Sequence, residues 1–126
     1  MKKDEKGRPI NAAFGVIYLS GKMRGLPDLG RGAFMEVEKF LRDRGFIVLN
    51  PAVLPVDLKP ESYMPICMAM VREADHIVML PGYEDSRGAL LELNYALECG
   101  KTAFELEAFY RTGSPLKGWI MNEFKP

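Results

Sequence analysis

Two hydrophobic periods alternate regularly along this chain and leave few folds open to it. "GVIYLSG" (15–21), "FIVLNP" (46–51) and "HIVMLP" (76–81) are short, continuous apolar runs that end in Gly or Pro. Runs of this kind read as strands buried on both faces. Between them the pattern changes to a helical stripe. In 31–45 the stripe is Ala33, Phe34, Val37, Phe40 and Leu41, with Glu36, Glu38, Lys39, Arg42 and Asp43 on the other face and Gly45 as a stop. The next helix has Ser62 as a plausible N-cap and a stripe of Tyr63, Ile66, Cys67, Met70, Val71 and Ala74. Another spans 87–99 and stops at Gly100. "TAFELE" (102–107) is a fourth strand, and a short helix in the tail would dock Trp119 and Phe124 on the core.

Strands alternating with helices predict an α/β fold with a parallel sheet and helices on both faces. Such sheets bind ligands beyond the carboxyl ends of their strands, where the strand order reverses. Loops 20–31, 51–62 and 81–88 meet at that edge. The 126 residues fit one domain, expected over 14–126 behind a flexible lead of 1–13.

Charge and cysteine content remove several function classes. Lys+Arg and Asp+Glu number 17 each, so nothing favours wide electrostatic attraction to nucleic acid or an acidic membrane, and a charged ligand must be held by local groups. No apolar run reaches the roughly 20 residues that span a bilayer. Cys67 and Cys99 fall in apolar helical patterns without a partner at metal spacing, and read as buried, reduced thiols of a cytoplasmic protein. No Asp/His cluster suggests a metal, and no cofactor is expected. His76, the one histidine, sits at a strand start and reads as structural.

Two segments carry candidate chemistry. "YLSGKMRGLPDLGRG" (18–32) ends a strand in a Gly-rich turn with two cations, Lys22 and Arg24. Backbone N–H groups and a guanidinium there can hold an anion; the plain alternative is a turn with solvated cations. The spacing is neither a Walker A loop nor G-x-G-x-x-G. In "LPGYEDSRGALLELNYALECGK" (80–101), Ser86 and Gly88 open a helix. Glu92 follows on the mostly apolar face of Tyr95, Ala96 and Cys99. It is either an acid favoured by the helix dipole or a desolvated carboxylate aimed into the cleft.

Together, "YLSGKMRG", the strand ending "NP", "ADHIVMLPG" and "SRGALLE" resemble the nucleoside 2-deoxyribosyltransferase superfamily over roughly 15–101. They are most similar to its phage and bacterial branch with an "LPG(W/Y)…S-x-G-A…E" pattern, to which the 2′-deoxynucleoside 5′-monophosphate N-glycosidases are related. The resemblance implies a flavodoxin-like three-layer sandwich with a sheet of four to five strands. It implies an enzyme that cleaves or exchanges an N-glycosidic bond of a small nucleotide or nucleoside through a glycosyl-glutamate intermediate. Glu92 matches the nucleophile and Tyr18 the tyrosine beside it. Gly21, Lys22, Met23, Arg24 and Gly25 match the turn at the 5′-phosphate, and Ser86, with Gly88 after it, the phosphate-binding serine. Homodimers or larger homo-oligomers are implied as well.

One position departs from the family pattern. The usual proton-donating Asp is replaced by Cys67, and a thiol is a poor general acid. Asp57, Glu84 and Asp85 lie in cleft-edge loops and are the remaining candidates, Asp57 and Asp85 foremost. The same departure leaves open a non-catalytic nucleotide-binding or sensing protein. A receiver or electron carrier fits less well, since strand 3 ends in Leu80-Pro81 rather than an acidic phosphoacceptor.

Overall fold

A computed structural model describes residues 2–11 and 13–107. The expected tail helix with Trp119 and Phe124 lies outside the described residues. Four strands, β1 (Val16–Ser20), β2 (Ile47–Leu49), β3 (His76–Met79) and β4 (Thr102–Glu105), form one sheet in the order β2-β1-β3-β4. Every neighbouring pair is parallel, with Ile17 opposite Val48 and His76, and Val78 opposite Phe104. Three helices make the crossovers: α1 (Arg31–Arg42), α2 (Pro60–Glu73) and α3 (Arg87–Glu98). This is the flavodoxin-like order, in which the strand order reverses between β1 and β3.

Strand side chains alternate between the two faces. Ile17, Leu19, Val48, Val78 and Phe104 pack with Phe34, Val37 and Leu41 of α1. Tyr18, Ile77, Met79 and Ala103 face the other way, onto Cys67 and Val71 of α2 and Ala89, Leu93 and Ala96 of α3. The sheet is therefore the middle of three layers. The alternation also sends Tyr18 and Ser20 to the α2–α3 side, where both are buried.

The boundaries depart from the sequence reading in physically clear ways. Helix α2 begins at Pro60, not near Tyr63: the ring of Pro60 presets the φ of a first helical residue, and Ser62 sits inside the first turn, its N–H donating to the Lys59 carbonyl. Strand β4 ends at Glu105 rather than Glu107. Ala33 and Ile66, placed on the apolar stripes, are exposed, and Phe40 is half-buried under the guanidinium of Arg44 at 3.6 Å. Cys99 follows the last turn of α3 and is exposed, whereas Cys67 is buried. Residues 2–11 carry a hydrogen-bonded turn in which Asp4 accepts from the N–H groups of Lys6 and Arg8.

His76 sits at the opposite end of the sheet from the loops. Its Nε2 donates to the Phe14 carbonyl at 2.9 Å, Nδ1 contacts Thr102 Oγ1, and the ring lies between Phe46 and Phe104. No helix of the described residues is long and apolar enough to cross a membrane.

Gly21 follows β1 where the site begins. A Cβ there would lie 2.9 Å from Leu80 Cβ, an atom fixed to the backbone and unable to swing away. Gly21→Ala is expected to cost about 1–3 kcal/mol through overpacking. Urea unfolding checks this as a lower midpoint with an unchanged slope.

Candidate functional site

The three loops at the carboxyl edge of the sheet enclose a cavity of about 840 Å³, within the range typical of small-molecule sites. Its depth is set by β1 and α3. Ser86 caps α3 by accepting the Ala89 N–H at 3.1 Å, which fixes the helix start and sends Glu92 inward one and a half turns later. Glu92 is 7% exposed, while Leu91 and Asn94 face out.

Ser20, from the end of β1, donates its hydroxyl to Glu92 Oε1 at 2.6 Å, a short charge-assisted contact between two buried groups. Tyr18 Oη and Cys67 complete the surroundings of the carboxylate. Burial raises the Glu92 carboxyl above its ordinary value; hydrogen bonding from Ser20, and then the nearby Tyr18 and Cys67, act the other way. Burial likewise pushes the Cys67 thiol up to about 11 and, with the Glu92 charge, the Tyr18 hydroxyl well above its usual range. Both therefore keep their protons at neutral pH. Tyr18 Oη is close enough to Glu92 and Cys67 to feel their charge, yet it has no hydrogen-bond partner of good geometry among the described residues.

The turn Gly21 to Gly25, with Tyr18, Asp85, Ser86, Gly88 and Glu92, lines this one cavity. Asp57 is exposed and lies outside the lining, and Glu84 borders a separate small hollow beside Glu105. After the turn, Asp28, Leu29 and Gly30 adopt left-handed backbone angles in succession before α1 starts, an arrangement strained for the two that are not glycine.

The second loop is shaped by Asn50, whose side chain accepts from the Ala52 N–H at 2.8 Å and donates to Glu38 at 3.0 Å. Leu54, Pro55, Tyr63 and Met64 give the cavity an apolar wall, and the Tyr63 hydroxyl is occupied by the Pro55 carbonyl.

Several groups in the lining or directly behind it escaped the sequence reading. Ser20 was legible in principle, because it lies two residues beyond Tyr18 on the same strand face. Arg31 and Arg87, the first residues of α1 and α3, were not singled out. Cys67, read as core, is both buried and part of the lining beside Glu92. Among the described residues no group of His, Cys, Asp and Glu is arranged to hold a metal ion.

The sequence profile of a family described as a domain of unknown function, DUF4406, matches residues 15–104. Among solved structures, the chain is similar to a 2-deoxyribosyltransferase from Leishmania mexicana. The two share 22% identity and a TM-score of 0.58, over 80% of this chain and 73% of that one. At that identity the likeness establishes a shared fold. No curated protein sequence matches the chain.

Proposed function

This chain belongs to the DUF4406 family, and from its cavity we propose that it is a glycosyl-transferring enzyme that cleaves or exchanges the N-glycosidic bond of a 2′-deoxyribonucleotide. The observation that carries the reading is a desolvated carboxylate, Glu92, at the base of a cavity, held by a serine and flanked by a tyrosine hydroxyl that lacks a partner. A helix-face acid with only a dipole role has no need of burial or of a donor from β1. The fold shared with a deoxyribosyltransferase points the same way.

The steps follow from the groups present. A nucleobase lies along the apolar wall of Leu54, Tyr63 and Met64, and a 5′-phosphate at the turn Gly21 to Gly25 and the Ser86–Gly88 helix start. One Glu92 oxygen attacks C1′. The C1′–N bond breaks, its electron pair leaves with the base, and the base gains a proton. Oxocarbenium character at C1′ is stabilised by the facing carboxylate. Water, or a second base, then attacks C1′, gives its proton to the Asp85 carboxylate left by the first step, and releases Glu92 as a carboxylate. Water yields hydrolysis and a base yields transfer. Ser20 holds the carboxylate by its hydrogen bond, and the unpartnered Tyr18 hydroxyl stands beside it.

Asp85 is the proposed proton donor to the base, since it lines the cavity and Asp57 does not. Exposed Leu29, Val56 and Leu91 around the cavity support assembly as a homodimer or larger homo-oligomer, and the free thiols Cys67 and Cys99 fit a cytoplasmic setting.

Cys67 supports a second reading. A thiol that holds its proton up to about pH 11 does not protonate a leaving base well, so a nucleotide-binding protein with little turnover is the alternative. Incubation of the purified chain with 2′-deoxyribonucleoside 5′-monophosphates separates the two. Free base appearing in proportion to enzyme and time supports the enzyme. Saturable calorimetric binding of a nucleotide that stays intact supports the binding protein and sinks the first reading.

A further inference from the structure

We propose that Arg31 binds the phosphate of the ligand and so makes the cavity select phosphorylated over unphosphorylated deoxynucleosides; this rests on the nucleotide reading above. Arg31 is the first residue of α1 and its side chain lines the cavity. Nη2 donates to the Leu54 carbonyl at 2.6 Å, which anchors the guanidinium against the second loop. Nε is buried without a hydrogen-bond partner.

Among the described residues, two buried side-chain polar atoms lack a partner, Arg31 Nε and Tyr18 Oη, and both residues line this cavity. Leaving such a group unpaired costs about 1–3 kcal/mol, a loss that a ligand can recover. Tyr18 is at the glycosidic end of the proposed ligand. Arg31 lies six residues after Gly25, the last residue of the phosphate turn Gly21 to Gly25.

Charge complementarity agrees. Lys22, Arg24, Arg31 and Arg87 line the cavity against Asp85 and Glu92, an excess of two cations in a chain whose formal net charge is +0. A phosphate monoester dianion matches that excess. A planar guanidinium anchored at one nitrogen presents its remaining donors in a fixed fork, which suits phosphate oxygens better than the flexible ammonium of a lysine.

The competing role is a strut that only ties α1 to Leu54. Calorimetry on the full chain carrying Glu92→Gln, chosen to prevent turnover, distinguishes them. A 2′-deoxynucleoside 5′-monophosphate and the matching nucleoside are titrated into that protein, and into the same protein with Arg31→Gln or Arg31→Lys. The parent is expected to prefer the monophosphate. Arg31→Gln is expected to cut the preference about tenfold or more with nucleoside affinity unchanged, and Arg31→Lys to restore part of it.

A preference that survives Arg31→Gln overturns the proposal, as does an equal loss of both affinities, the result of a strut. A parent without any preference overturns it too, and the phosphate part of the function reading with it. An Arg31-dependent preference in a chain whose wild type releases no base upholds the proposal and sinks the glycosidase reading alone.

Discussion

Replacing Glu92 with glutamine is expected to abolish base release while making the protein more stable at neutral pH. The two effects share one cause. Glu92 is a buried carboxylate whose folded-state pKa is raised, chiefly by desolvation, above the ordinary 4.5. Below that ordinary value both folded and unfolded chains carry the group protonated, and burial of its charge costs nothing. As pH rises through the window between the unfolded and folded values, the unfolded chain ionises first and stability is lost. Above the window the loss is complete.

Glutamine keeps the shape and an oxygen for the Ser20 hydroxyl but carries no charge. The variant should therefore gain about 1 kcal/mol at neutral pH, or roughly 3–5 °C in midpoint, and gain little below the ordinary carboxylate range. Thermal unfolding at two pH values measures this. A variant less stable than wild type at neutral pH would show that the carboxylate is satisfied where it lies and is not held in tension for catalysis. The amide cannot form the C1′ ester, so activity should fall roughly 10³-fold or more.

The second large effect is assigned to Ser20. Its hydroxyl is the principal donor opposing the desolvation of Glu92, at 2.6 Å. Ser20→Ala leaves Oε1 buried with its main donor gone, and the Glu92 pKa should climb further. The reactive form is the ionised one, so the acidic limb of the rate profile should move to higher pH. At neutral pH the rate is expected to fall about 10- to 100-fold, with part of the loss recovered in alkaline buffer as Glu92 ionises again. Ser20→Thr keeps the donor and should keep the limb near its wild-type position. A pH–rate profile of kcat/KM reads all three. A uniform fall at every pH with an unmoved limb would mean that Ser20 only packs the site.

The strands and helices were legible because a parallel sheet buried on both faces leaves continuous apolar runs, and each crossover helix leaves a stripe. Glu92 was legible as an acid on an apolar face, and the Gly21 to Gly25 turn as a strand-ending loop with cations. The rest depends on contacts between distant segments. Ser20 meets Glu92 across 72 residues of chain, and local pattern says only that a strand ends there. Arg31 carries no local signal that sets it apart, and its bond to the Leu54 carbonyl joins segments 23 residues apart. Cys67 keeps the helical period of core residues, so its place beside the carboxylate is invisible to periodicity. The start of α2 at Pro60 was hidden by a proline-rich loop, although proline at the first helical position is itself a start signal.

All of this rests on Glu92 as the group that attacks the sugar. Base release from a 2′-deoxyribonucleoside 5′-monophosphate, followed in parallel for wild type and Glu92→Gln at neutral pH, tests it most directly. Steady release by the wild type and a fall of roughly 10³-fold or more in the variant are expected. Equal release from both proteins would contradict it.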